Sequence, residues 1–169
     1  MAAKKKLDKV SVITTFYNAE KFILDAVNSV NQQIIDGFEL EYVIVDDKSP
    51  DKSRQLLERY IKDNVKNPNA QWRIVEPEQN LGCGGARKFG IDNATGDYFM
   101  FLDADDYYLK TDFVLRAYKE ITTEKADIVE YGMIMNHANG QQANNTAPQR
   151  FVIENNPAGA EIALFKDNL

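Results

Sequence analysis

Closely spaced carboxylates follow two apolar segments of the sequence, and they are the side chains best suited to chemistry. Asp46 and Asp47 end one segment, and Asp103 and Asp105 follow another, with Ala104 between them. Residues i and i+2 at a strand end point to the same side, so Asp103 and Asp105 can address one ion while the small Ala104 leaves room for a ligand. Ligation by oxygen alone suits Mg²⁺ or Mn²⁺, which usually bridge to phosphates. An isolated acidic pair is more often part of a solvated loop. Here the pair follows an apolar strand, as Asp46-Asp47 does, and this shared position favours a metal site.

The elements that must position these carboxylates alternate along the chain. Short apolar runs predict strands at residues 10–16, 40–45, 72–75, 98–102 and 127–134. Apolar residues at three- and four-residue spacing predict helices at residues 19–33, at 51–65, at 86–94 and at 111–123. This order predicts an α/β domain with a mostly parallel sheet, in which ligands bind outside the carboxyl ends of the strands.

Local signals refine this outline. Asn18 is expected to cap the first helix, whose buried stripe begins at Phe22, and Ser49-Pro50-Asp51 is expected to begin the second helix. A glycine-rich loop is predicted at residues 80–85 and an exposed polar loop at 137–145. Weaker patterns predict a strand at residues 151–153 and a helix at 157–165.

The composition suits one compact domain, or one domain and the start of a second. The chain has 169 residues, of which 44% are hydrophobic, and chains of this size bury about 70% of their unfolded surface without needing a disulfide or a metal. The single Cys83 excludes an intramolecular disulfide and fits a reducing compartment. The net charge of −6 disfavours wholesale binding to nucleic acid, so a phosphorylated ligand would need a local cation or a metal. The apolar stretch after the lysine-rich start is too short for a signal peptide or a transmembrane helix, and residues 1–9 are expected to be a solvated tail.

Four ordered segments together resemble the glycosyltransferases of the large family 2 group, which have the GT-A fold. The segments are VSVITTFYNAE at residues 10–20, YVIVDDKS at 42–49, the glycine-rich run at 80–87, and ATGDY with FLDADD between 94 and 106. The resemblance implies an α/β, Rossmann-like nucleotide-sugar-binding domain over residues 10–135. It also implies that residues 136–169 begin an acceptor-binding region that is incomplete.

The resemblance assigns roles to individual residues. The implied nucleotide-sugar site comprises Thr15, Tyr17, Glu20, Asp46, Asp47, Arg87, Asp103 and Ala104, and the implied metal ligands are Asp105 and Asp103. Asp46 would accept a hydrogen bond from the nucleobase, Asp103 would contact the ribose, and Arg87 would donate to the nucleotide in a fork. For Tyr17, packing in the core is an equally open alternative.

The resemblance further implies an inverting, metal-dependent transfer of a sugar to an acceptor hydroxyl. A UDP-sugar is the commonest donor, Mn²⁺ or Mg²⁺ the cofactor, and a saccharide or lipid-linked molecule the acceptor, as in the synthesis of cell-envelope polysaccharide or glycolipid. The expected location is cytoplasmic or peripheral at the inner face of the membrane. Thr15, Lys48 and Lys88 stand where many relatives have proline, glycine and asparagine.

The general base that such a transfer needs is expected beyond Leu169. The carboxylates near the end of the chain, Glu154, Glu161 and Asp167, lie in no context that resembles the family's base. A non-catalytic module that binds a nucleotide-sugar therefore stays open as an alternative. A sugar nucleotidyltransferase is the other alternative, although it would need a basic glycine-rich loop where residues 17–20 stand.

Overall fold

A computed structural model describes residues 6–65, 67–129, 131, 133–136 and 142–145 of the chain. Its main sheet consists of β1 (Asp8–Phe16), β2 (Phe38–Asp46), β3 (Ala70–Val75) and β4 (Tyr98–Phe101), in the order β3-β2-β1-β4. All three pairings are parallel. The helices are α1 (Ile23–Asn31), α2 (Ser53–Asn64), α3 (Gly82–Asn93) and α4 (Phe113–Glu124). The predicted alternation of strand and helix and the predicted parallel sheet are thus confirmed.

The two central strands are buried on both faces. Val12 and Ile13 of β1 are fully buried, and so are Tyr42 and Val43 of β2. Successive side chains point to opposite faces of a sheet, so continuous burial along a strand means that both faces are covered, as in most parallel sheets. The polar side chains inside these strands, such as Ser11 and Glu41, are therefore buried and bonded to each other.

Helix α3 lies unusually close to the central strands because Gly90 faces them. A Cβ atom added at Gly90 would lie 2.5 Å from Cγ2 of Ile13 and 3.2 Å from Cγ2 of Val45. The neighbouring Ala86 is fully buried in the same apolar cluster. These small residues bring the first turn of α3 to the carboxyl ends of β1 and β2.

The loop before α3 is shorter than the sequence predicted, because the helix begins at Gly82 and not near residue 86. Gly82 has φ 69°, a conformation that glycine adopts without strain. The amide of Leu81 donates to Oδ1 of Asp47 at 2.7 Å, and Oδ1 of Asn80 accepts from the amide of Gly82 at 3.1 Å. One local and one tertiary hydrogen bond thus hold the start of a helix whose glycines have the low helix propensity on which the loop prediction rested.

The predicted start of the first helix is also wrong. Helix α1 begins at Ile23, and Asn18 lies in a left-handed conformation with φ 55° instead of capping the helix. Phe22, predicted in the buried stripe, is half exposed, whereas Ile23, Ala26 and Val27 are fully buried. The residues before α1 thus form a separate loop.

The chain divides into two compact units, residues 1–115 and 116–169. In the second unit, β5 (Met133–Asn136) and β6 (Gln142–Asn145) form an antiparallel pair. The strand predicted at residues 127–134 therefore begins late, and the loop predicted at 137–145 contains a strand. Pairing with β5 stabilises this polar segment although its residue types disfavour strands. The elements predicted at residues 151–153 and 157–165 lie outside the described residues.

None of the helices in the described part of the chain combines the length and the apolar character that crossing a membrane requires.

Candidate functional site

An open cleft of about 620 Å³ lies in the first unit, where the chain leaves the carboxyl ends of β1, β2 and β4. Seven of the predicted site residues line it, namely Thr15, Tyr17, Asp47, Arg87, Asp103, Ala104 and Asp105. The other lining residues are Phe16, Asn18, Ala19, Phe22, Asn80, Gly82, Cys83 and Ala86. Glu20 and Asp46 do not line it. The fold therefore brings together segments that are far apart in the sequence.

Asp46 lies behind the cleft and already has partners on both carboxylate oxygens. It is 2% exposed, its Oδ1 accepts from the amide of Ser49 at 2.8 Å, and its Oδ2 lies 3.4 Å from Nη1 of Arg54. Burial alone would lower the pKa of Arg54, but hydrogen bonds to Glu58 and Asp46 outweigh that effect and raise this pKa. The base contact that the resemblance implies for Asp46 stays a prediction.

Asp47 joins the end of β2 to the start of α3 and contributes to the cleft wall. Besides the bond from Leu81, its backbone carbonyl accepts from Nδ2 of Asn80 at 2.7 Å. Its Oδ2 accepts no hydrogen bond from the residues that the structure describes. Asp47 is 4% exposed, and it is held through Oδ1 while its Oδ2 has no hydrogen-bond partner in the described part of the chain.

Two aromatic side chains form an open wall of the cleft. Tyr17 is 53% exposed, so the alternative of core packing does not describe it, and Phe22 is exposed to a similar extent. Aromatic faces of this kind can stack on a planar base. Glu20, in the same loop as Tyr17, is exposed and accepts from the amide of Lys52 at 3.1 Å.

Arg87 and Asp103 form an ion pair across the cleft. Nη2 of Arg87 lies 2.5 Å from Oδ1 of Asp103, and the guanidinium lies 5.8 Å from the centre of the Phe101 ring. The hydrogen bond to Asp103 is the main reason why the pKa of Arg87 is raised. The pair fixes one carboxylate oxygen of Asp103 and leaves other guanidinium donors for a ligand.

The acidic segment after β4 concentrates negative charge at one end of the cleft. Partial desolvation and then the charges of Asp105 and Asp103 raise the pKa of Asp106, whose amide donates to the carbonyl of Asp103 at 3.0 Å. Asp103 and Asp105 line the same cleft, and carboxylate oxygens are ligands that suit a hard divalent cation. No cluster of three acidic, histidine or cysteine side chains suited to a metal occurs among the residues with described positions, so a cation here would take its other ligands from phosphate or water.

Eight of the lining residues were not among the predicted site residues, and three of them are Asn80, Cys83 and Phe22. Asn80 bridges Asp47 and Gly82 through its side chain, Cys83 is exposed in the first turn of α3, and Phe22 faces the opening. Asn80 and Cys83 belong to one of the four matched segments, which is the signal that could have found them. Phe22 gave no such signal, because its spacing agrees with the buried stripe of the helix.

Comparisons with known proteins agree with this geometry. A family model described as "Glycosyl transferase family 2" matches residues 11–159. Teichoic acid poly(glycerol phosphate) polymerase of Staphylococcus epidermidis is 34% identical over 136 residues, covering 73% of this chain and 18% of that protein. The uncharacterized glycosyltransferase EpsJ of Bacillus subtilis is 34% identical over 123 residues, covering 73% of this chain and 33% of EpsJ. The chain thus spans a third or less of the length of these curated relatives.

The solved structures include a similar domain with a bound nucleotide. Residues 1–349 of Staphylococcus aureus TarS in complex with UDP match with a TM-score of 0.62 and 31% identity, covering 74% of this chain and 36% of that one. The same part of TarS was also solved in complex with UDP-GlcNAc. The parallel sheet and its helices therefore have the GT-A-like α/β fold that the sequence predicted.

Proposed function

We propose that the cleft binds a nucleotide-sugar and that the protein transfers the sugar to an acceptor hydroxyl, because this chain belongs to glycosyl transferase family 2. The observation that carries the proposal is the convergence of Asp47, Arg87, Asp103 and Asp105 with the exposed ring of Tyr17 in one cleft. Ligands of parallel α/β domains bind at this end of the sheet. The nucleotides bound to TarS support a UDP-sugar as the donor.

The nucleoside would lie between the aromatic wall and the end of β2. Tyr17 offers a face for stacking, and the available Oδ2 of Asp47 can accept from a donor on the edge of a pyrimidine such as the N3–H of uracil. Adenine has no equivalent ring N–H donor there. Asp46 is the second candidate for this contact.

The diphosphate would lie between Arg87 and the acidic segment. The guanidinium donors of Arg87 that do not face Asp103 can hold phosphate oxygens in a fork. Asp105 and Asp103 would hold Mn²⁺ or Mg²⁺, which supplies positive charge against the departing nucleoside diphosphate. Asp103, fixed through one oxygen by Arg87, keeps the other oxygen for the ribose or the cation.

The transfer itself would invert the anomeric carbon, with the acceptor hydroxyl attacking opposite the diphosphate. That hydroxyl needs a general base held in position to remove its proton. None of the residues that the structure describes is assigned this role. The names of the relatives support a saccharide or polyol-phosphate acceptor of cell-envelope polymers. A location in the cytoplasm, or peripheral at the inner face of the membrane, belongs to the same proposal.

Protection of the single Cys83 from alkylation tests nucleotide binding directly. Cys83 is exposed and lines the cleft, so a bound UDP should slow its reaction with a small alkylating reagent in the presence of Mn²⁺. Arg87→Ala should lose most of this protection. The matched control is Arg59→Ala on the exposed side of α2, which should keep it. If no common nucleoside diphosphate slows the alkylation of the original chain, the proposal is contradicted. A separate assay for the release of UDP from a UDP-sugar distinguishes a catalytic protein from one that only binds the nucleotide-sugar.

A further inference from the structure

We propose that Asp51 is a positioning residue, which acts through Ser49 and Ser53 to hold the loop that carries Tyr17 into the cleft. This loop, residues 17–20, joins β1 to the segment before α1 and is called the first loop. The inference rests on the proposed function, because it gives the first loop the task of presenting Tyr17 to the base. Asp51 itself does not line the cleft.

Three successive amides of the first loop donate to side chains that follow β2. The amide of Asn18 donates to Oγ of Ser49 at 2.9 Å, and the amide of Ala19 donates to Oγ of Ser53 at 3.1 Å. The amide of Glu20 donates to Oδ2 of Asp51 at 3.0 Å. The conformation of the first loop is therefore fixed from outside the loop.

Asp51 orients both serine hydroxyls. Its Oδ1 accepts from Oγ of Ser49 at 2.6 Å and from Oγ of Ser53 at 2.6 Å, and also from the amide of Ser53 at 3.0 Å. A hydroxyl has one proton and two lone pairs, so a hydroxyl that donates to Asp51 can accept from an amide. An ionised Asp51 thus sets the direction of the hydrogen bonds that reach Asn18 and Ala19.

The charge state of Asp51 agrees with this arrangement. Desolvation raises its pKa, but hydrogen bonds from Ser49, from Ser53 and from the amide of Glu20 outweigh that effect and lower the pKa to about 2. The carboxylate is consequently ionised over the neutral range and accepts hydrogen bonds on both oxygens.

The first loop needs such support for two reasons. Asn18 has φ 55°, in the left-handed region that asparagine tolerates but does not prefer. The side chain of Tyr17 is 53% exposed, so core packing does not hold it in place. The position of Tyr17 therefore depends on the hydrogen bonds made by the amides that follow it.

The test combines nucleotide affinity with hydrogen exchange in Asp51→Asn. The asparagine side chain has the same size but only one oxygen. Its NH₂ group must therefore face hydrogen-bond donors, which are either the backbone amide of Glu20 or the groups of Ser49 and Ser53 that now donate to Oδ1. We expect UDP affinity with Mn²⁺ to fall about tenfold or more and the amides of residues 18–20 to exchange faster. The amide of Leu81, which Asp47 holds, should exchange as before. Asp63→Asn is the matched control, since Asp63 contacts Arg59 on the exposed side of α2.

The outcomes separate this inference from the proposed function. If the original chain binds UDP and Asp51→Asn binds it equally well, the positioning role is overturned. Faster exchange throughout Asp51→Asn, Leu81 included, would also overturn it, because that result marks a general loss of stability.

If Asp51→Asn does not fold, Ser49→Ala takes its place. This variant should accelerate exchange at Asn18 and weaken UDP binding. An unchanged exchange rate together with an unchanged UDP affinity would overturn the inference. If the original chain binds no nucleotide, the proposed function fails, and the exchange of residues 18–20 still shows whether Asp51 holds the first loop.

Discussion

At the scale of single residues, the two aspartates at the end of β2 show what a sequence leaves open. Asp46 and Asp47 are adjacent, and both follow a buried strand, so the pattern alone gives them the same chemistry. Consecutive side chains at a strand end point to opposite sides, and the structure places Asp47 in the cleft wall while Asp46 contacts Arg54 behind it. The sequence predicts that a carboxylate is present, and the pleat of the strand decides which of the two lines the cleft.

Substituting each aspartate by asparagine distinguishes their roles. In Asp47→Asn the side-chain oxygen can keep the contact with the Leu81 amide, but the new NH₂ group would then face the N3–H of uracil. We expect Asp47→Asn to weaken UDP binding by about 1.5–3 kcal/mol. Asp46→Asn should instead lower the free energy of unfolding by about 1–2 kcal/mol, because it weakens a part-buried contact to Arg54. Calorimetry with UDP and urea unfolding measure both effects, and a larger loss of UDP affinity in Asp46→Asn would restore Asp46 as the base contact.

At the scale of the elements, the sequence predicts the strands and misplaces the helix starts. The runs at residues 10–16 and 40–45 lie within β1 and β2, because continuous apolar patterns are strong signals. The starts of α1 and α3 depend instead on bonds from distant residues, such as the one that Leu81 donates to Asp47. Such tertiary contacts have no signature in the local sequence.

The close approach of α3 to the sheet predicts different effects at two glycines of that helix. Gly90→Ala places a methyl group against Ile13 and Val45, so the helix must move outward, and we expect a loss of about 1–3 kcal/mol in the free energy of unfolding. Gly84→Ala is the control within the same helix, because nothing lies within 4 Å of its added Cβ atom. Alanine there should be neutral or stabilising by up to about 1 kcal/mol. Equal urea midpoints for the two variants would contradict the described packing.

The turn between α3 and β4 is anchored by a buried carboxylate, which predicts an acid-sensitive contribution to stability. Glu41 is 1% exposed. Its Oε2 accepts hydrogen bonds from the hydroxyl of Ser11 at 2.6 Å and from the amide of Thr95 at 2.7 Å. Its Oε1 accepts one from the guanidinium of Arg73 at 2.8 Å. Burial raises the pKa of Glu41, but these hydrogen bonds outweigh it and hold the pKa below its usual value. The ionised carboxylate therefore stabilises the fold above its unfolded pKa, and this contribution is lost as the pH falls through the lowered folded pKa.

Glu41→Gln should consequently cost about 2 kcal/mol of unfolding free energy at neutral pH. The difference between the variant and the original chain should shrink as the pH falls below the ordinary range of a glutamate, near 4.5. Urea unfolding at a series of pH values measures this. A difference that stays constant down to about pH 2 would show that the ionised form of Glu41 does not carry the stabilisation.

At the scale of the whole molecule, the fold explains why residues that are far apart in the sequence meet in one cleft. Most of the predicted site residues meet in the cleft of the first unit because the carboxyl ends of parallel strands lie at one edge of the sheet. The chain divides after residue 115, and in the antiparallel pair of its second unit the strand β6 lies in a segment too polar to be predicted as a strand. Parallel pairing follows from alternating elements, whereas pairing between two short strands depends on contacts that local residue types do not encode.

The negative charge of the molecule predicts that nucleotide binding depends on cations. The chain has a net charge of −6, and Asp103 and Asp105 line the cleft with Asp106 next to them in the chain, so a diphosphate would approach against repulsion. We expect Mn²⁺ to strengthen UDP binding at least about tenfold, since phosphate oxygens and the two carboxylates together complete its ligands. Asp105→Asn should lose most of that gain. Without divalent cations, added NaCl should improve UDP binding by screening the repulsion.

Uridine is the matched control for this dependence, because it has the same base and ribose but no phosphate. Its affinity should be insensitive to Mn²⁺ and nearly insensitive to NaCl, so calorimetry with the two ligands separates the phosphate contribution from the base contacts. Equal UDP affinity with and without Mn²⁺ would contradict a cation at Asp103 and Asp105. In that case Arg87 alone would have to offset the charge of the diphosphate, and Arg87→Ala should then abolish UDP binding while leaving uridine bound.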